Sequence, residues 1–486
     1  MTSEIRYTSL PEHFYRRVRP VPLSNPYLVS FSPTMAEILD IDPASIATPE
    51  FTEVFTGNRL LDGSDPIATV YSGHQFGQYV DQLGDGRALV LGEVEDKDGT
   101  SWEIQLKGAG LTPFSRMGDG RAVLRSTIRE FLCSEAMAGL GIPTTRALCI
   151  TGSKDEVYRE KIESSAVLTR VAPSHVRFGN FEFFFYRQQY DDLRLLADFV
   201  IEQFYPASRE AKNPYLDLLH QVIDKTAALI AQWQLVGFTH GVMNSDNMSI
   251  LGLTIDYGPY GFLDTYQSRF VCNHSDHQGR YAYDQQPQIG LFNLSCLAQA
   301  LLPLIDSEDG KAAAEKAKDQ LAEYQPLYTE YYQQGMREKL GLMAPHQGDA
   351  ELFENLFSAM ENQLDFTRFF RALGGFEQSG ENHFLRDQFI ERIRFDQWAD
   401  VYSARLAGEN SDQAERQQKM HRVNPKYILR NYLVQSAIVK AENDDFGEIT
   451  TLLNLLTSPY DEQPEMESYA DEPPDWAKTL ELSCSS

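Results

Sequence analysis

The spacing of apolar residues changes once along this chain, and that change limits its fold more than any other feature. Residues 66–185 carry apolar runs of strand length between glycine-rich turns: Arg87–Val94, Trp102–Lys107 and Ser165–Arg170. One helical pattern, Ala122–Leu140, lies among them. Beyond about residue 190 the spacing becomes helical, first in Leu193–Phe204 and Tyr215–Val236. The sequence therefore predicts an α+β fold of two lobes, a β-rich N-terminal lobe and a larger helical C-terminal lobe.

Composition and punctuation divide the chain into four expected segments. Residues 1–65 mix polar stretches with short helical patterns, and we expect them to pack as an extension on the core. Residues 66–185 form the N-terminal lobe and residues 186–460 the helical C-terminal lobe. Residues 461–486 begin with a stretch rich in proline and acidic side chains, which is typical of a solvated linker or tail.

The charge balance excludes one class of partner. The chain has 486 residues, with 43 Lys and Arg against 70 Asp and Glu, a formal net charge of −27. Nucleic acids are held by clustered cationic side chains, so we predict no nucleic-acid partner. No uninterrupted apolar run approaches the roughly 18–20 residues of a membrane helix, and residues 1–19 lack the apolar core of a signal peptide. We therefore predict no membrane partner and a cytoplasmic location.

Two features of the N-terminal lobe suit a phosphate ligand. In the run Leu-Gly-Asp-Gly-Arg, Gly84 and Gly86 would let backbone N–H groups approach phosphate oxygens, and Arg87 would add positive charge. A tight hairpin turn would show the same glycines. Lys107 ends a predicted strand and Glu130 lies in the predicted helix, an arrangement by which kinase folds aim a lysine at nucleotide phosphates. A surface lysine and a solvated glutamate are the alternative.

A third motif follows the long predicted helix of the C-terminal lobe. His240 to Asn247 has the spacing of the kinase catalytic loop, His-x-Asp followed by four residues and Asn. Val242 replaces the aspartate of that loop, and valine cannot accept a proton. Asp246 is the nearest carboxylate, so we predict that it takes the role of general base.

A fourth motif completes the order found in kinases. Asp256, in an Asp-Tyr-Gly run, stands where kinases carry their metal-binding Asp-Phe-Gly. An amide oxygen and a carboxylate suit Mg²⁺ that bridges nucleotide phosphates, so Asn247 and Asp256 are the predicted metal ligands. The four motifs in this order predict a protein-kinase-like fold.

Arginines gather at further glycine-rich turns. A second Gly-Asp-Gly-Arg run contains Asp119 and Gly120, and Arg170 and Arg177 follow later. In an acidic protein such a cluster is what a polyphosphate site requires. Surface ion pairs, each worth about 0–1 kcal/mol, are the alternative.

These motifs resemble those of the selenoprotein O family, also called YdiU, which are protein adenylyltransferases with a pseudokinase fold. The resemblance covers nearly the whole chain and is carried by Gly73–Gly77, Leu83–Ala88, Gln105–Gly108, Thr112–Arg146, Met243–Met248, Thr254–Pro259 and Asn424–Tyr427. It implies that ATP binds inverted relative to kinases, so that AMP passes to Ser, Thr or Tyr hydroxyls of protein substrates and pyrophosphate leaves. It leaves open UTP as a second donor and Mn²⁺ as an alternative to Mg²⁺.

Carried over by motif, the resemblance implies a role for each candidate residue. Asp246 would accept the proton, Asn247 and Asp256 would hold the metal, and Glu130 would orient Lys107. The residues expected at the nucleotide are Gly84, Gly86, Arg87, Lys107, Asp119, Gly120, Arg170, Arg177 and Asp256.

The five cysteines are widely spaced and predict neither a disulfide framework nor a metal knuckle. Cys484 lies three residues from the end of the sequence, where chains are usually mobile and exposed. Two interpretations stay open for it, a tolerated surface thiol and a redox-active thiol. Some members of the family carry selenocysteine at this place, so the resemblance favours a redox role for Cys484. Cys272 is a hypothetical disulfide partner.

Two other functions stay open at this point. An orthodox kinase would transfer the γ-phosphate, and the valine at position 242 disfavours it. A non-catalytic nucleotide-binding scaffold would transfer nothing, and the presence of Lys107, Asn247 and Asp256 disfavours it.

Overall fold

A computed structural model describes residues 5–409 and 411–480 of the chain. Its strands are β1 (Tyr15–Arg17), β2 (Tyr27–Phe31), β3 (Ile67–Thr69), β4 (Gly73–Gln75), β5 (Gln78–Val80), β6 (Ala88–Glu95), β7 (Ser101–Lys107), β8 (Ala122–Val123), β9 (Arg146–Tyr158), β10 (Ile162–Ala172), β11 (Phe238–Thr239) and β12 (Gly261–Phe262).

Its helices are α1 (Pro33–Ile38), α2 (Pro43–Ile46), α3 (Pro49–Thr56), α4 (Leu124–Gly139), α5 (Phe178–Tyr186), α6 (Tyr190–Phe204), α7 (Pro214–Val236), α8 (Gln286–Ile305), α9 (Gly310–Ala322), α10 (Tyr324–Lys339), α11 (Asp349–Met360), α12 (Phe366–Leu373), α13 (His383–Arg386), α14 (Arg392–Ala407), α15 (Gln413–His421), α16 (Asn431–Ala441) and α17 (Gly447–Leu456). Short 3₁₀ turns lie between several of them.

An antiparallel sheet dominates the N-terminal lobe. In the described part of the chain it has eight strands, in the order β1-β3-β6-β7-β10-β9-β2, with β8 paired to β10. Lys107 ends the central strand β7, opposite Ala88 of β6 and Leu168 of β10. Apolar side chains of β6 and β7 pack against α1 and α3, and those of β9 and β10 pack against α4. The predicted helix at 122–140 is therefore α4, preceded by the short strand β8.

Residues before 66 supply both edges of this sheet. β1 pairs with β3 at one edge, and β2 pairs with β9 at the other. The sequence predicted an extension that packs on the core but revealed neither strand, because strands of three to five residues show too few repeats for an alternating pattern.

The helical lobe begins with strongly signalled elements. Asn213 caps α7 by accepting a hydrogen bond from the Leu216 amide, Pro214 occupies the first turn, and Gly237 ends the helix with φ of 72°. Pro214–Val236 confirms the predicted helix within one residue. The helices from α8 onward likewise confirm the expected helical lobe, and the α+β, two-lobed, kinase-like fold is confirmed.

The last helices return to the N-terminal lobe. Apolar side chains of α16 and α17 pack in one cluster with those of α4. Gly139 of α4 lies so close to the Leu456 carbonyl oxygen that an added Cβ would stand 2.1 Å from it. The C-terminal helices therefore support the helix that carries Glu130.

The acidic segment after residue 460 contacts the helical lobe, and its described residues 461–478 are exposed or half-exposed. Lys426 forms ion pairs with Glu462 and Glu467, and Arg371 forms one with Glu462. Met466 and Tyr469 pack at the edge of the cluster that includes α16 and α17. The segment is fixed to the surface because its carboxylates meet cations of the helical lobe, which sequence spacing could not indicate.

One described helix, Tyr283–Ile305, is long and apolar enough to cross a membrane by length and composition alone. Its most apolar window has a mean hydropathy of 1.5, and 61% of that window is buried inside the protein. The sequence shows no uninterrupted apolar run here, because Gln, Asn and Ser lie between the apolar residues of this helix. Most of this helix packs as a core helix does.

Candidate functional site

A cleft of about 580 Å³ lies between the sheet and the helical lobe. Among the described residues its lining includes seven cations and five carboxylates, although the whole chain is strongly acidic. The cations are Arg87, Lys107, Arg116, Arg121, Arg159, Arg170 and Arg177. The carboxylates belong to Asp85, Asp119, Glu130, Asp246 and Asp256. Such a local excess of positive charge suits a polyanionic ligand.

The lysine and glutamate predicted from the sequence meet at the wall of this cleft. Lys107 Nζ lies 2.5 Å from Glu130 Oε2. Arg170 Nε donates to the other oxygen of the same carboxylate at 2.5 Å. Burial and the neighbouring Arg170 lower the pKa of Lys107 to about 8. Glu130 therefore fixes two cations side by side on the sheet.

Asp256 faces these cations from the helical lobe. Its two carboxylate oxygens accept hydrogen bonds from Arg170 and Arg177, and Lys107 Nζ lies 3.8 Å from Oδ1. Burial alone would raise its pKa, but the two guanidinium groups hold the pKa of Asp256 well below its usual range. Asp256 has φ of 62°, a left-handed conformation that is uncommon outside glycine and concentrates at functional sites.

The loop with the His240–Asn247 motif is held in place by hydrogen bonds of its first and last side chains. His240 is buried, and its Nε2 lies 2.9 Å from the Ile255 carbonyl oxygen, next to Asp256. Burial lowers the pKa of His240, so the ring is neutral and holds the two loops together. Val242 lines the cleft, and its carbonyl oxygen accepts a hydrogen bond of 2.9 Å from Asn247 Nδ2.

The Asn247 and Asp256 side chains fit a divalent cation. The hydrogen bond from Nδ2 to Val242 fixes the Asn247 amide so that Oδ1 is the atom left for a ligand. Each Asp256 oxygen accepts one guanidinium hydrogen bond and keeps a second lone pair. An amide oxygen with an ionised carboxylate is the donor set that Mg²⁺ and Mn²⁺ prefer.

Asp246 is the carboxylate whose environment differs most from that of a surface group. Its Oδ2 accepts a hydrogen bond of 3.2 Å from Gln75, whereas its Oδ1 is buried and has no hydrogen-bond partner within residues 5–409 and 411–480. Arg177 donates to its backbone oxygen at 2.9 Å. Burial, opposed in part by Arg177, raises the pKa of Asp246 to about 7. A carboxylate with this pKa can accept a proton at neutral pH.

A hairpin formed by β4 and β5 covers the loop that carries Asp246. The His74 amide donates to Ser245 Oγ at 2.7 Å, and the Phe76 amide donates to Asn244 Oδ1 at 3.2 Å. A Cβ at Gly73 would lie 2.9 Å from the Asp246 side chain. The role of this hairpin was missed, although Gly73–Gly77 carried part of the family resemblance. Its two glycines were the available signal.

The first Gly-Asp-Gly-Arg run packs against residues 112–115, which precede the second run. In the first, Asp85 is buried and accepts hydrogen bonds of 2.9 and 2.7 Å from the amide and hydroxyl of Thr69. Gly86 packs against Phe114, where an added Cβ would lie 2.9 Å from the carbonyl oxygen. The glycines thus permit a close approach of two loops as well as the predicted approach of phosphate.

In the second run, Asp119 is engaged by another side chain. Its carboxylate forms a two-fold ion pair with Arg159, with N–O distances of 2.7 and 2.9 Å. Arg159 lies in the β9–β10 hairpin and gave no local sequence signal. Gly120 has φ of 71°, and a Cβ there would collide with Gly110. Asp119 therefore lines the cleft with its carboxylate held by Arg159.

All the predicted nucleotide, metal and base residues line this one cleft. Whether they bind a nucleotide stays a prediction. Cys272 lies apart from the lining: it is buried behind the catalytic loop, with its Sγ 3.6 Å from the Thr239 carbonyl oxygen. Cys484 lies outside the described residues, so its pairing with Cys272 also stays a prediction.

Comparison with known proteins identifies the family of this chain. A family model described as "Protein adenylyltransferase SelO" matches residues 1–457. A protein named "Protein nucleotidyltransferase YdiU" from Herminiimonas arsenicoxydans is 54% identical, and the match covers 99% of this chain and 96% of the relative. Proteins of the same name from Thioalkalivibrio sulfidiphilus and Myxococcus xanthus are 54% and 53% identical, each over 99% of this chain and 98% of the relative.

These matches extend over both lobes and over every motif that lines the cleft. The resemblance inferred from the sequence is confirmed, and the chain belongs to the SelO family of protein adenylyltransferases.

Proposed function

We propose that this protein transfers AMP from ATP to Ser, Thr or Tyr hydroxyl groups of other proteins and releases pyrophosphate. The observation that carries the proposal is the pair of Val242 and Asp246. Valine stands in the place of the usual kinase base, and four residues later lies a buried carboxylate with a pKa of about 7 and one oxygen that has no partner among the described residues. The family membership of the chain supports the same activity.

The burial of the cations supports an inverted ATP. The side chains of Arg170 and Arg177 are 2% and 3% exposed, and that of Lys107 is 12% exposed. Cations in a poorly solvated place interact most strongly with the most charged part of a ligand. We therefore place the terminal phosphates of ATP at the enclosed end, with the α-phosphate towards Asp246.

In this orientation the chemical step balances without a kinase base. Asp246 accepts the proton of the substrate hydroxyl, and the hydroxyl oxygen forms a bond to the α-phosphorus. The bond between the α-phosphorus and the bridging oxygen breaks, and pyrophosphate leaves with its electron pair. Lys107 and Arg177 stabilise the charge that develops on the leaving group.

Asn247 and Asp256 would hold Mg²⁺, with Mn²⁺ as the alternative, and the bound cation would neutralise phosphate charge as a Lewis acid. Before a nucleotide binds, Asp256 keeps Arg170 and Arg177 in place by its two hydrogen bonds. We place the activity in the cytoplasm, with proteins rather than nucleic acids as acceptors.

Parallel incubations with α-labelled and γ-labelled ATP test the proposal. The purified full chain should label itself or an added protein only from the α-phosphate. Label from the γ-phosphate would show a kinase instead, and no label from either, together with measured ATP binding, would show a scaffold. The same assay with α-labelled UTP tests UTP as a second donor.

A further inference from the structure

Three side chains with different donor atoms meet behind the β4–β5 hairpin, outside the cleft lining. They are His74 of β4, Glu182 of α5 and Cys296 of α8. One nitrogen, one oxygen and one sulfur atom from these residues lie within 4.8 Å of one another. His74 Nδ1 is 2.5 Å from Glu182 Oε2. Neither the proposed transfer nor the nucleotide cleft requires this cluster.

Burial makes the cluster more than a surface ion pair. The Glu182 side chain is fully buried, and its second oxygen, Oε1, has no hydrogen-bond partner among the described residues. Cys296 is 8% exposed and the His74 side chain 13%. Buried carboxylates need a compensating charge or hydrogen bonds, and one imidazole contact leaves half of this group unsatisfied. The unpartnered oxygen is a position for a cation.

We propose that His74, Glu182 and Cys296 form a binding site for Zn²⁺, distinct from the Asn247 and Asp256 pair in the cleft. Zinc is held by combinations of imidazole nitrogen, thiolate sulfur and carboxylate oxygen, often three protein ligands with water as the fourth. Mg²⁺ does not fit this set, because it prefers oxygen ligands alone. The donor atoms therefore select a borderline or soft metal.

Zinc binding requires a small rearrangement of the cluster. Zinc–ligand distances of about 2.0–2.3 Å place tetrahedral ligand atoms roughly 3.3–3.8 Å apart, so separations of up to 4.8 Å must shrink by at most about 1 Å, and the 2.5 Å contact between His74 Nδ1 and Glu182 Oε2 must widen if both atoms bind the metal. Rotation of the Cys296 side chain on α8 can supply the contraction. Burial raises the pKa of Cys296 to about 12, so the thiol is protonated without metal, and coordination releases one proton.

Metal at this place would tie the hairpin to two helices that border the catalytic loop. The His74 amide already donates to Ser245 Oγ, next to Asp246. On α8, Asn293 Nδ2 donates to the Met243 carbonyl oxygen at 3.0 Å. Coordination would therefore stiffen the support of the base without touching the nucleotide.

Cobalt titration tests the site directly, because a thiolate bound to Co²⁺ gives an intense charge-transfer absorption in the near ultraviolet. Tag-free, metal-stripped full chain is titrated with Co²⁺ alone, without nucleotide. We expect the band to saturate at one equivalent of Co²⁺ and to be displaced by one equivalent of Zn²⁺. No band, or one that grows only at millimolar Co²⁺, would overturn the proposal, whatever the result of the labelling assay.

Three variants make the assignment specific. Cys296→Ala should lose the band and the zinc-dependent rise in unfolding temperature. Cys149→Ala, which removes a buried thiol in the sheet, should keep both. A band that survives in Cys296→Ala would overturn the assignment. The unfolding temperatures of the metal-free variants show whether each has folded, and Glu182→Gln, which keeps the thiol and the side-chain shape, should bind Co²⁺ more weakly.

Discussion

The two walls of the cleft hold their charged groups in different ways. On the sheet wall, Lys107 and Arg170 share the carboxylate of Glu130, so each cation has a fixed partner. On the helical wall, Asp246 keeps one oxygen buried and without a hydrogen-bond partner in the described part of the chain. A wall of paired cations is suited to hold a ligand in place, whereas a buried carboxylate with a raised pKa is suited to react. The comparison predicts that the sheet wall governs binding and the helical wall governs turnover.

Asp256 belongs to the helical wall but contacts cations of both, so its loss should have the largest effect. We expect Asp256→Ala to abolish AMP transfer and to make ATP affinity independent of added Mg²⁺. Calorimetric titration with ATP, with and without Mg²⁺, measures the second effect. Asp264→Ala is the matched control, because Asp264 pairs with Arg430 outside the cleft lining. Full transfer by Asp256→Ala would contradict the site assignment.

Asp246→Asn separates turnover from binding. The substitution keeps the shape and removes the proton acceptor, and loss of a general base costs about 10²–10⁴-fold in rate. We expect kcat to fall by that factor while the Kd for ATP changes little. Single-turnover transfer from α-labelled ATP gives the rate. A rate within a few-fold of the parent protein would assign the base elsewhere.

Lys107→Met removes charge from the sheet wall alone. Glu130 keeps its contact with Arg170, so we expect the fold to persist. Loss of one charge-assisted contact to phosphate should weaken ATP binding by about 10–100-fold. Lys154→Met, at an exposed ion pair with Asp444, is the control and should bind ATP as the parent does. Equal affinity in both variants would break the assignment of binding to the sheet.

The pH dependence sharpens the comparison because each wall contributes one limb. Asp246 must be ionised to accept a proton, so kcat/KM should rise as pH increases towards about 7, its pKa. Lys107 must be charged, so kcat/KM should fall as pH rises through about 8. The profile is therefore bell-shaped. The residual activity of Asp246→Asn should lack the acid limb, and a flat profile from pH 5 to 7 would contradict the role of Asp246.

The smallest effect is expected at the rim. Asp119 pairs with Arg159, and the Asp119 side chain is 44% exposed, so Asp119→Asn should change the free energy of unfolding by less than about 1 kcal/mol. ATP affinity should weaken only a few-fold, because Arg159 loses its orientation and keeps its charge. Urea unfolding measures the first quantity and calorimetry the second. A loss as large as that of Lys107→Met would place Asp119 in direct contact with the nucleotide.

The sequence predicted what depends on local spacing. Lys107 and Glu130 were paired correctly because one ends a strand and the other lies in a helix that must pack on the same sheet. Asp246, Asn247 and Asp256 were predicted because their order along the chain resembles that of the kinase motifs, and their roles stay predictions. These residues lie in one cleft because the fold brings the two loops that carry them together.

What the sequence could not predict depends on distant parts of the chain. Arg159 reaches Asp119 across a hairpin, and His74 meets Glu182 from a separate strand. No spacing rule connects such residues, because tertiary packing decides which side chains meet. The strands β1 and β2 were not predicted for a related reason. Each is too short to show an alternating pattern and is recognised only by its pairing with a distant strand.

The N-terminal lobe is completed by contacts between segments that lie far apart in the chain. β2 needs β9, and α4, which presents Glu130, rests on α16 and α17 from near the C-terminus. A chain emerging from the ribosome therefore lacks the finished support of its lysine–glutamate pair until α17 has been synthesised. Such long-range contacts slow folding, and we expect them to delay the completion of the lysine–glutamate pair until α17 has folded against α4.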